Sequence, residues 1–357
     1  MNPLHNRIEK RLLKQQLHTT PQSRLTLSFY CYHKIQDPKA FRDLLYEDWS
    51  KLGVLGRVYV AHEGINAQIS VEKAVFEIFK EALYSLDFLN GVRLNLAIED
   101  DGKSFFILKV QVKKKIVADG LHDEQFDVTQ GGQHLNAREF NELASKENTI
   151  IIDMRNHYES EVGRFENALC PDVDTFRDSL HAAEKLLTGK TSHNIIMYCT
   201  GGIRCEKASA WMKYRGFQHV FQLEGGIIEY ARQVEEQGLE NKFIGKNFVF
   251  DERLGERISD KVISLCHQCG KACDSHTNCR NEGCHLLFIQ CEECAKKYSG
   301  CCSIECSEII SLPLAEQRLL RKGKPQGRMV YKKGRAENLK FKVPTRTSPE
   351  VGTNPGL

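Results

Sequence analysis

The sequence predicts a mixed α/β chain built from successive domains: an α+β unit, a parallel α/β unit, and a cysteine-rich module with a basic tail. Three observations carry this. Strand-like and helix-like apolar periods alternate through the first 245 residues. Ten of the 14 cysteines fall between Cys266 and Cys306, and Lys and Arg dominate the charge of the tail beyond them. At 357 residues the chain exceeds one ordinary core and suits two or three domains. A hydrophobic fraction of 41% supports globular packing, and a formal net charge of +3 is too small to mark the whole chain as a polyanion binder, so any such site has to come from local clustering.

No apolar run succeeds the basic start MNPLHNRIEKRLLK, and no stretch approaches the ~20 apolar residues of a membrane span. The expectation is a soluble cytoplasmic protein with no membrane partner. The cysteine distribution fits a reducing compartment and one metal-bound module better than a secreted disulfide scaffold. Nothing in the sequence fixes the oligomeric state.

Residues 1–24 are polar and read as an adaptor arm. From Leu25, LTLSFYCYHK reads as a strand, Pro38 to Leu52 as a helix opened by Asp37-Pro38, and GRVYVAHEGINAQISV as two strands around Glu63-Gly64. A helix over Glu72 to Leu86 comes next, then GVRLNLAI and SFFILKVQV as strands around the turn Asp100-Asp101-Gly102. This order matches a ferredoxin-like, or acylphosphatase-like, split βαβ unit over residues 25–117. Lys113-Lys114-Lys115 and the polar stretch through Gly131-Gly132 read as a linker.

The second unit spans residues 118–245. Asn136 with Glu139 resembles a capping box, TIIID (149–153), IIMYC (195–199) and HVFQL (219–223) read as buried strands, and a helix from about Arg204 to Arg215 stops at Gly216. Short apolar strands alternating with helices imply a parallel sheet covered on both faces. Sites in such sheets lie at the carboxyl ends of the strands, where Asp153 and Cys199 both sit.

The central chemical signal is Cys199-Thr200-Gly201-Gly202-Ile203-Arg204, between a buried strand and a helix N-terminus. A cysteine there meets unpaired backbone N–H groups, the positive end of the helix dipole and a guanidinium, all of which favour thiolate. The glycines let the backbone curl, giving an anion-binding cup with a nucleophile at its floor. The competing reading is an inert strand-end thiol. A cysteine phosphatase of related architecture needs a longer loop to wrap a phosphate, so this smaller cup suits a persulfide sulfur or another small group. Cys205 is open to two readings, a resolving thiol for Cys199 or plain helix packing.

The loop resembles that of the rhodanese domain, whose C-x-x-G-x-R pattern is matched by Cys199, Gly202 and Arg204. Asp153-Met154-Arg155, Gly163 with Asn167-Ala168, and Glu224-Gly225-Gly226 resemble its flanking motifs. With HEGINAQI (62–69), DMRNHYE (153–159), YCTGGIRCEKASAWM (198–212), EGGIIEYAR (224–232) and NFVFDERLGERI (247–258), the chain is similar to bacterial oxygen-dependent tRNA uridine hydroxylases over nearly all of residues 1–322. The resemblance implies 5-hydroxylation of the wobble uridine, tRNA as partner, O2 as co-substrate and Cys199 as the active-site cysteine. Arg204, Cys205, Asp153 and Arg155 are the further catalytic candidates, with Thr200, Gly201, Gly202 and Ile203 as the anion-binding loop.

Oxygen insertion at pyrimidine C5 usually calls on a flavin or a redox metal. No G-x-G-x-x-G comes after a strand, so neither flavin nor NAD is expected, and His62-Glu63 and His157-x-Glu159 are weak candidates for an iron site. A thiolate-only route is available: attack of Cys199 on uracil C6 leaves enolate character at C5, with loop N–H groups and Arg204 stabilising the charge. The alternative enzyme reading is a sulfurtransferase carrying a Cys199 persulfide, and a third is a noncatalytic RNA-binding protein.

In the cysteine-rich module, residues 246–312, the knuckles Cys266/Cys269 and Cys291/Cys294 have the bite for tetrahedral zinc. Cross-bracing pairs these four on one zinc and Cys279, Cys284, Cys302 and Cys306 on another, with a structural role. His267, His276 and His285 are possible substitutes, and disulfides or an unmetallated cluster the competing state. Residues 313–357 read as a disordered basic tail, with eleven Lys or Arg against Glu337 between Arg318 and Arg346. Lys113, Lys114 and Lys115, with Arg57 and Arg93, would add RNA-binding charge, and Tyr158, Phe165 or Trp211 are candidate stacking partners for a flipped base.

Overall fold

The computed structural model of the protein describes residues 23–121, 127–323, 335, 336, 339 and 341. The arm at 1–22 and most of the basic tail, including all but one of its cations beyond Lys322, lie outside the described residues.

The N-terminal sheet comprises β1 (Arg24–Tyr32), β2 (Leu55–Ala61), β3 (Gly64–Glu72), β4 (Asn95–Leu96) and β5 (Leu108–Val112), in the order β4-β1-β3-β2-β5. The first four pair antiparallel, as a split βαβ unit requires, and β5 adds in parallel to β2. Helix α1 (Pro38–Lys51) starts where the sequence indicates: the Asp37 carboxylate accepts the Lys39 and Ala40 N–H groups at 3.0 Å, and Pro38 spends no donor there. Helix α2 is shorter than expected, covering Phe76–Tyr84 after a 3-10 turn at Lys73–Val75. The GVRLNLAI strand shrinks to Asn95–Leu96. The front of SFFILKVQV leaves the sheet, because Ser104 is buried and its hydroxyl is held 2.6 Å from that of Thr26.

The second unit contains β6 (Gln133–Leu135), α3 (Ala137–Ala144), β7 (Thr149–Asp153), α4 (His157–Ser160), β8 (Gly163–Phe165), α5 (Phe176–Leu186), β9 (Asn194–Tyr198), α6 (Ile203–Tyr214), β10 (His219–Leu223) and α7 (Gly226–Gln237). Strands β6, β10, β9 and β7 form the expected parallel sheet, in that order. Its faces pack against two apolar clusters, one around Met197, Ala208 and Met212, the other around Phe140, Phe165 and Tyr230. The Asn136–Glu139 capping box is present, and Gly216 closes α6 with φ +91°, a backbone that favours glycine.

A small antiparallel sheet, not anticipated from sequence, joins β8 to β11 (Phe243–Asn247) and β12 (Glu256–Arg257). The cysteine-rich module comes next, with β13 (His276–Asn278), β14 (Leu287–Ile289), α8 (Glu292–Lys297) and α9 (Ile304–Ser311). Against the expectation of a disordered tail, the described part of it is folded. Leu314–Arg321 forms helix α10, and beyond it Ala336 and Leu339 are buried against Leu286 and Phe288. No helix among the described residues is long and apolar enough to cross a membrane.

Candidate active site

Cys199 lies one residue past β9, and its loop runs straight into α6, so the Gly202 N–H donates to its sulfur at 3.2 Å. Gly202 has φ +100°, and a Cβ there would sit 2.7 Å from the Tyr30 hydroxyl. Gly226, at φ +68°, presses the loop from beneath: a Cβ would fall 2.5 Å from the Cys199 carbonyl oxygen. Side chains at either position would displace the loop.

Burial pushes the Cys199 thiol up, yet it is held down at about 6 by donation from Cys205, the Arg204 charge, and the N–H groups of Arg204 and Gly202. Cys205 is pushed well above the usual thiol range by burial and by its bond to Cys199, so it is the proton donor of the pair. Cys205 is thus packed in the core and hydrogen-bonded to the Cys199 sulfur.

Arg204 is held by a residue that sequence reasoning did not assign to the loop. Its guanidinium donates to both Glu159 oxygens at 2.7 and 2.8 Å, in a pair excluded from solvent, and to the Thr200 hydroxyl at 3.4 Å. The Arg204 charge keeps Glu159 ionised despite its burial. The signal was present: Glu159 stands three residues after Asn156, the spacing of a capping glutamate. Glu159 is thus unavailable for iron. His157 is paired with Asp174, His62 Nδ1 meets the Ile35 carbonyl, and Glu63 binds Lys207, so neither suggested iron site assembles.

Asp153 and Arg155 do not enter the cup. They form a buried pair in which Arg155 donates to Asp153 at 2.7–3.2 Å and to the Gly163 carbonyl at 2.6 Å, while the Tyr198 hydroxyl donates to Asp153 at 2.7 Å. Their contacts lock β7, β8 and β9 together beneath the loop.

The loop faces a cavity of about 440 Å³, within the ~300–1,000 Å³ range of small-molecule sites. Cys199 has no exposed surface of its own and borders this space from the floor. The walls come mainly from three places: Tyr30, Tyr59 and Asn95 from the N-terminal sheet, Thr200, Gly201, Ile203 and Arg204 from the loop, and Val249, Phe250, Asp251 and Arg253 from the segment after β11. Interdomain bonds fix this arrangement. Tyr30 donates to Glu206 at 2.9 Å, Tyr32 to the Ile203 carbonyl at 3.2 Å, and the buried Lys207 ammonium binds Glu63 and Asp119 at 2.6 and 2.5 Å. Aromatic side chains bordering the cavity include Tyr30, Tyr59 and Phe250. Tyr158, Phe165 and Trp211 instead belong to buried clusters.

Family models match along most of the chain: the UPF0176 acylphosphatase like domain over residues 24–116, the rhodanese-like domain over 136–233, and the rhodanase C-terminal model over 244–307. Curated relatives extend further. The tRNA uridine(34) hydroxylase of Salmonella arizonae is 55% identical over 97% of this chain and 100% of its own length. That of Pectobacterium carotovorum subsp. carotovorum is 56% identical over 94% of this chain and 95% of its own, and that of Salmonella typhi 55% over 96% and 99%. The chain belongs to the tRNA uridine(34) hydroxylase family.

In this tRNA uridine(34) hydroxylase family member, the cysteine-rich module brings together two sets of four thiols, Cys266, Cys269, Cys291 and Cys294, and Cys279, Cys284, Cys302 and Cys306, the pairing that cross-bracing indicates. Sulfur separations of 3.6 Å for Cys269–Cys291 and Cys284–Cys302, and 3.9 Å for Cys302–Cys306, fit a tetrahedron around a metal. A Zn–S bond of about 2.3 Å places sulfurs about 3.8 Å apart. All 14 cysteines are free of disulfides. The histidine substitutes do not join: both ring nitrogens of His267 are occupied, by Glu161 and the Ile289 N–H, and neither set includes His276 or His285.

The basic candidates are scattered in their roles. Lys113 and Lys114 are exposed, whereas Lys115 is tied to Asp119 and the Leu121 carbonyl at 2.8 Å. Arg57 donates to the Phe250 carbonyl at 2.5 Å, and Arg93 pairs with Glu224 and Glu229. In the tail, Arg335 binds Asp172 and Asp174 at 2.6 and 2.9 Å.

Proposed function

We propose that this chain is a tRNA-modifying enzyme that hydroxylates uridine 34 at C5, with Cys199 as nucleophile and O2 as the source of the oxygen atom. The observation that carries the reading is a thiol held at about 6 at the floor of a cavity of about 440 Å³, in a chain 55% identical over 97% of its length to a tRNA uridine(34) hydroxylase. The thiolate adds to C6 of a flipped uracil, and the electron pair it releases collects at C5 and O4 as an enolate. Arg204, kept cationic by Glu159, and the loop N–H groups of Thr200 to Ile203 offset the negative charge that builds up there. Replacing C5–H by C5–OH with O2 consumes two electrons and two protons, taken from a donor outside this chain. Loss of the C5 proton to solvent with expulsion of the thiolate from C6 restores the C5=C6 double bond, and Cys205 donates a hydrogen bond to the departing sulfur. Asp153 and Arg155 position the loop without touching substrate.

Each four-cysteine set binds a zinc ion. A closed site of four thiolates has no open coordination position, so these ions stabilise the module and take no part in oxygen chemistry. Lys113 and Lys114, with the basic tail, contact tRNA phosphates in the cytoplasm. The working units are residues 25–117, 118–245 and 246–312.

The test is nucleoside mass spectrometry of tRNA from cells lacking the protein, complemented with wild type or Cys199→Ser. Wild type restores a wobble uridine heavier by one oxygen and Cys199→Ser does not. A gain of sulfur in place of oxygen would assign a sulfurtransferase, full complementation by Cys199→Ser a noncatalytic role, and an unchanged wobble uridine on deletion would refute the assignment.

A further inference from the structure

Asn95 is 4% exposed, lies in the cavity wall, and carries a side-chain oxygen with no hydrogen-bond partner among the described residues. A buried acceptor without a partner costs roughly 1–3 kcal/mol, enough to ask what normally fills it. Its position is well defined. Asn95 pairs with Ser28 at the edge of the N-terminal sheet, so it sits on a strand facing the reactive loop from the opposite domain.

The orientation of its amide is also fixed. The Asn95 Nδ2 donates to the Gly201 carbonyl at 3.4 Å. A carbonyl can only accept, so turning the amide over would set two oxygens against each other. Gly201, two residues from Cys199, therefore holds the amide with its NH2 toward the loop and leaves Oδ1 as an acceptor beside the second N–H of the same group.

That donor and acceptor pair complements one edge of uracil. Uracil offers N3–H as a donor between two carbonyl acceptors, so Oδ1 can accept N3–H while the free amide N–H donates to a neighbouring carbonyl. Cytosine presents the reverse: a bare N3 lone pair against Oδ1 and an amine against the amide N–H. C6 and N3 are opposite corners of the pyrimidine ring, so a base with C6 at the Cys199 wall turns its N3 edge toward the facing domain, where Asn95 sits.

We propose that Asn95 is the specificity-determining residue that admits uracil and rejects cytosine, with the Gly201 carbonyl setting the sense in which it reads the base. The proposal rests on uridine being the substrate base, and the test separates the two.

Binding of anticodon stem-loops carrying uridine, cytidine or 3-methyluridine at position 34 is measured with the full-length wild type and with Asn95→Leu, in the absence of oxygen, so that affinity is read without turnover. Wild type should prefer uridine over cytidine by roughly ten- to hundred-fold, the span expected when a buried acceptor gains or loses its donor. It should reject 3-methyluridine, which lacks N3–H, at least as strongly. Asn95→Leu should bind all three within about threefold of one another. Equal binding of the three by wild type, or the same preference in a folded Asn95→Leu, overturns the proposal. Should Asn95→Leu fail to fold, Asn95→Ala takes its place in the same comparison, and an unchanged preference in that variant overturns the proposal. The reaction is reported separately by the wobble uridine of cells complemented with wild type: selective binding in vitro with no oxygen gained in those cells would sink the hydroxylase reading and leave the base reading standing.

Discussion

Replacing Glu159 and Arg204 together by glutamine would remove the guanidinium from the Cys199 loop without leaving a lone buried charge. The two side chains face each other at 2.7 and 2.8 Å with almost no solvent contact, so two amides can still bond, whereas either single change strands an ion at a cost of about 3–5 kcal/mol. The thiol is held at about 6 against an ordinary 9.0, a difference worth about 4 kcal/mol in favour of thiolate. Burial opposes that ionisation, so the favourable contributions from Cys205, Arg204 and the loop N–H groups together exceed this figure. Losing the cation should raise the midpoint by about 1–3 pH units. The assay is the pH dependence of Cys199 alkylation by iodoacetamide, monitored on the Cys199 peptide by mass spectrometry. A wild-type midpoint at 8 or above, or an unmoved midpoint in the folded double variant, would refute the account of the loop. The thiol is more acidic folded than unfolded, so its ionisation stabilises the fold in full above about pH 9. That contribution fades as pH falls through the window and is gone below about 6.

Arg155→Met leaves Asp153 charged and buried, and should lower unfolding free energy in urea by about 3–5 kcal/mol, with a loss under 1 kcal/mol contradicting a structural pair. Protein purified with zinc should carry two metal ions per chain by elemental analysis, and a strong chelator should unfold the module while the parallel sheet keeps its circular dichroism. Stem-loops with 5-fluorouridine at position 34 should form a slow-migrating adduct with wild type and none with Cys199→Ser. Tight binding of that RNA without an adduct would remove C6 attack from the mechanism.

What the sequence revealed was what local pattern encodes. TIIID and HVFQL are strands because a run of apolar β-branched and aromatic residues covered on both faces can be little else, and both run over the expected residues. The Cys199 loop was legible because glycines, a helix start and an arginine are all within six residues of one another. The two thiol sets emerged from knuckle spacing and cross-bracing. Contacts that cross domains were not legible. Asn95 and Tyr30 border the cavity only because the N-terminal sheet packs on α6, and no local pattern announces a partner more than a hundred residues away. The shortened β4 has the same origin: the apolar run was read as strand, but part of it turns out to wall the cavity. Net basicity suggested a loose tail, while Ala336 and Leu339 found an apolar surface that charge counting does not register.

The Lys207 ammonium on α6, clamped between Glu63 in the turn from β2 to β3 and Asp119, has a consequence for how the molecule could be divided. The nucleophile and the walls that would seat a nucleobase come from separate stretches of the polypeptide. Severed from its neighbour, the central unit would keep an acidic sulfur but have nothing to choose a target with. Chemistry and discrimination are thus inherited together or not at all.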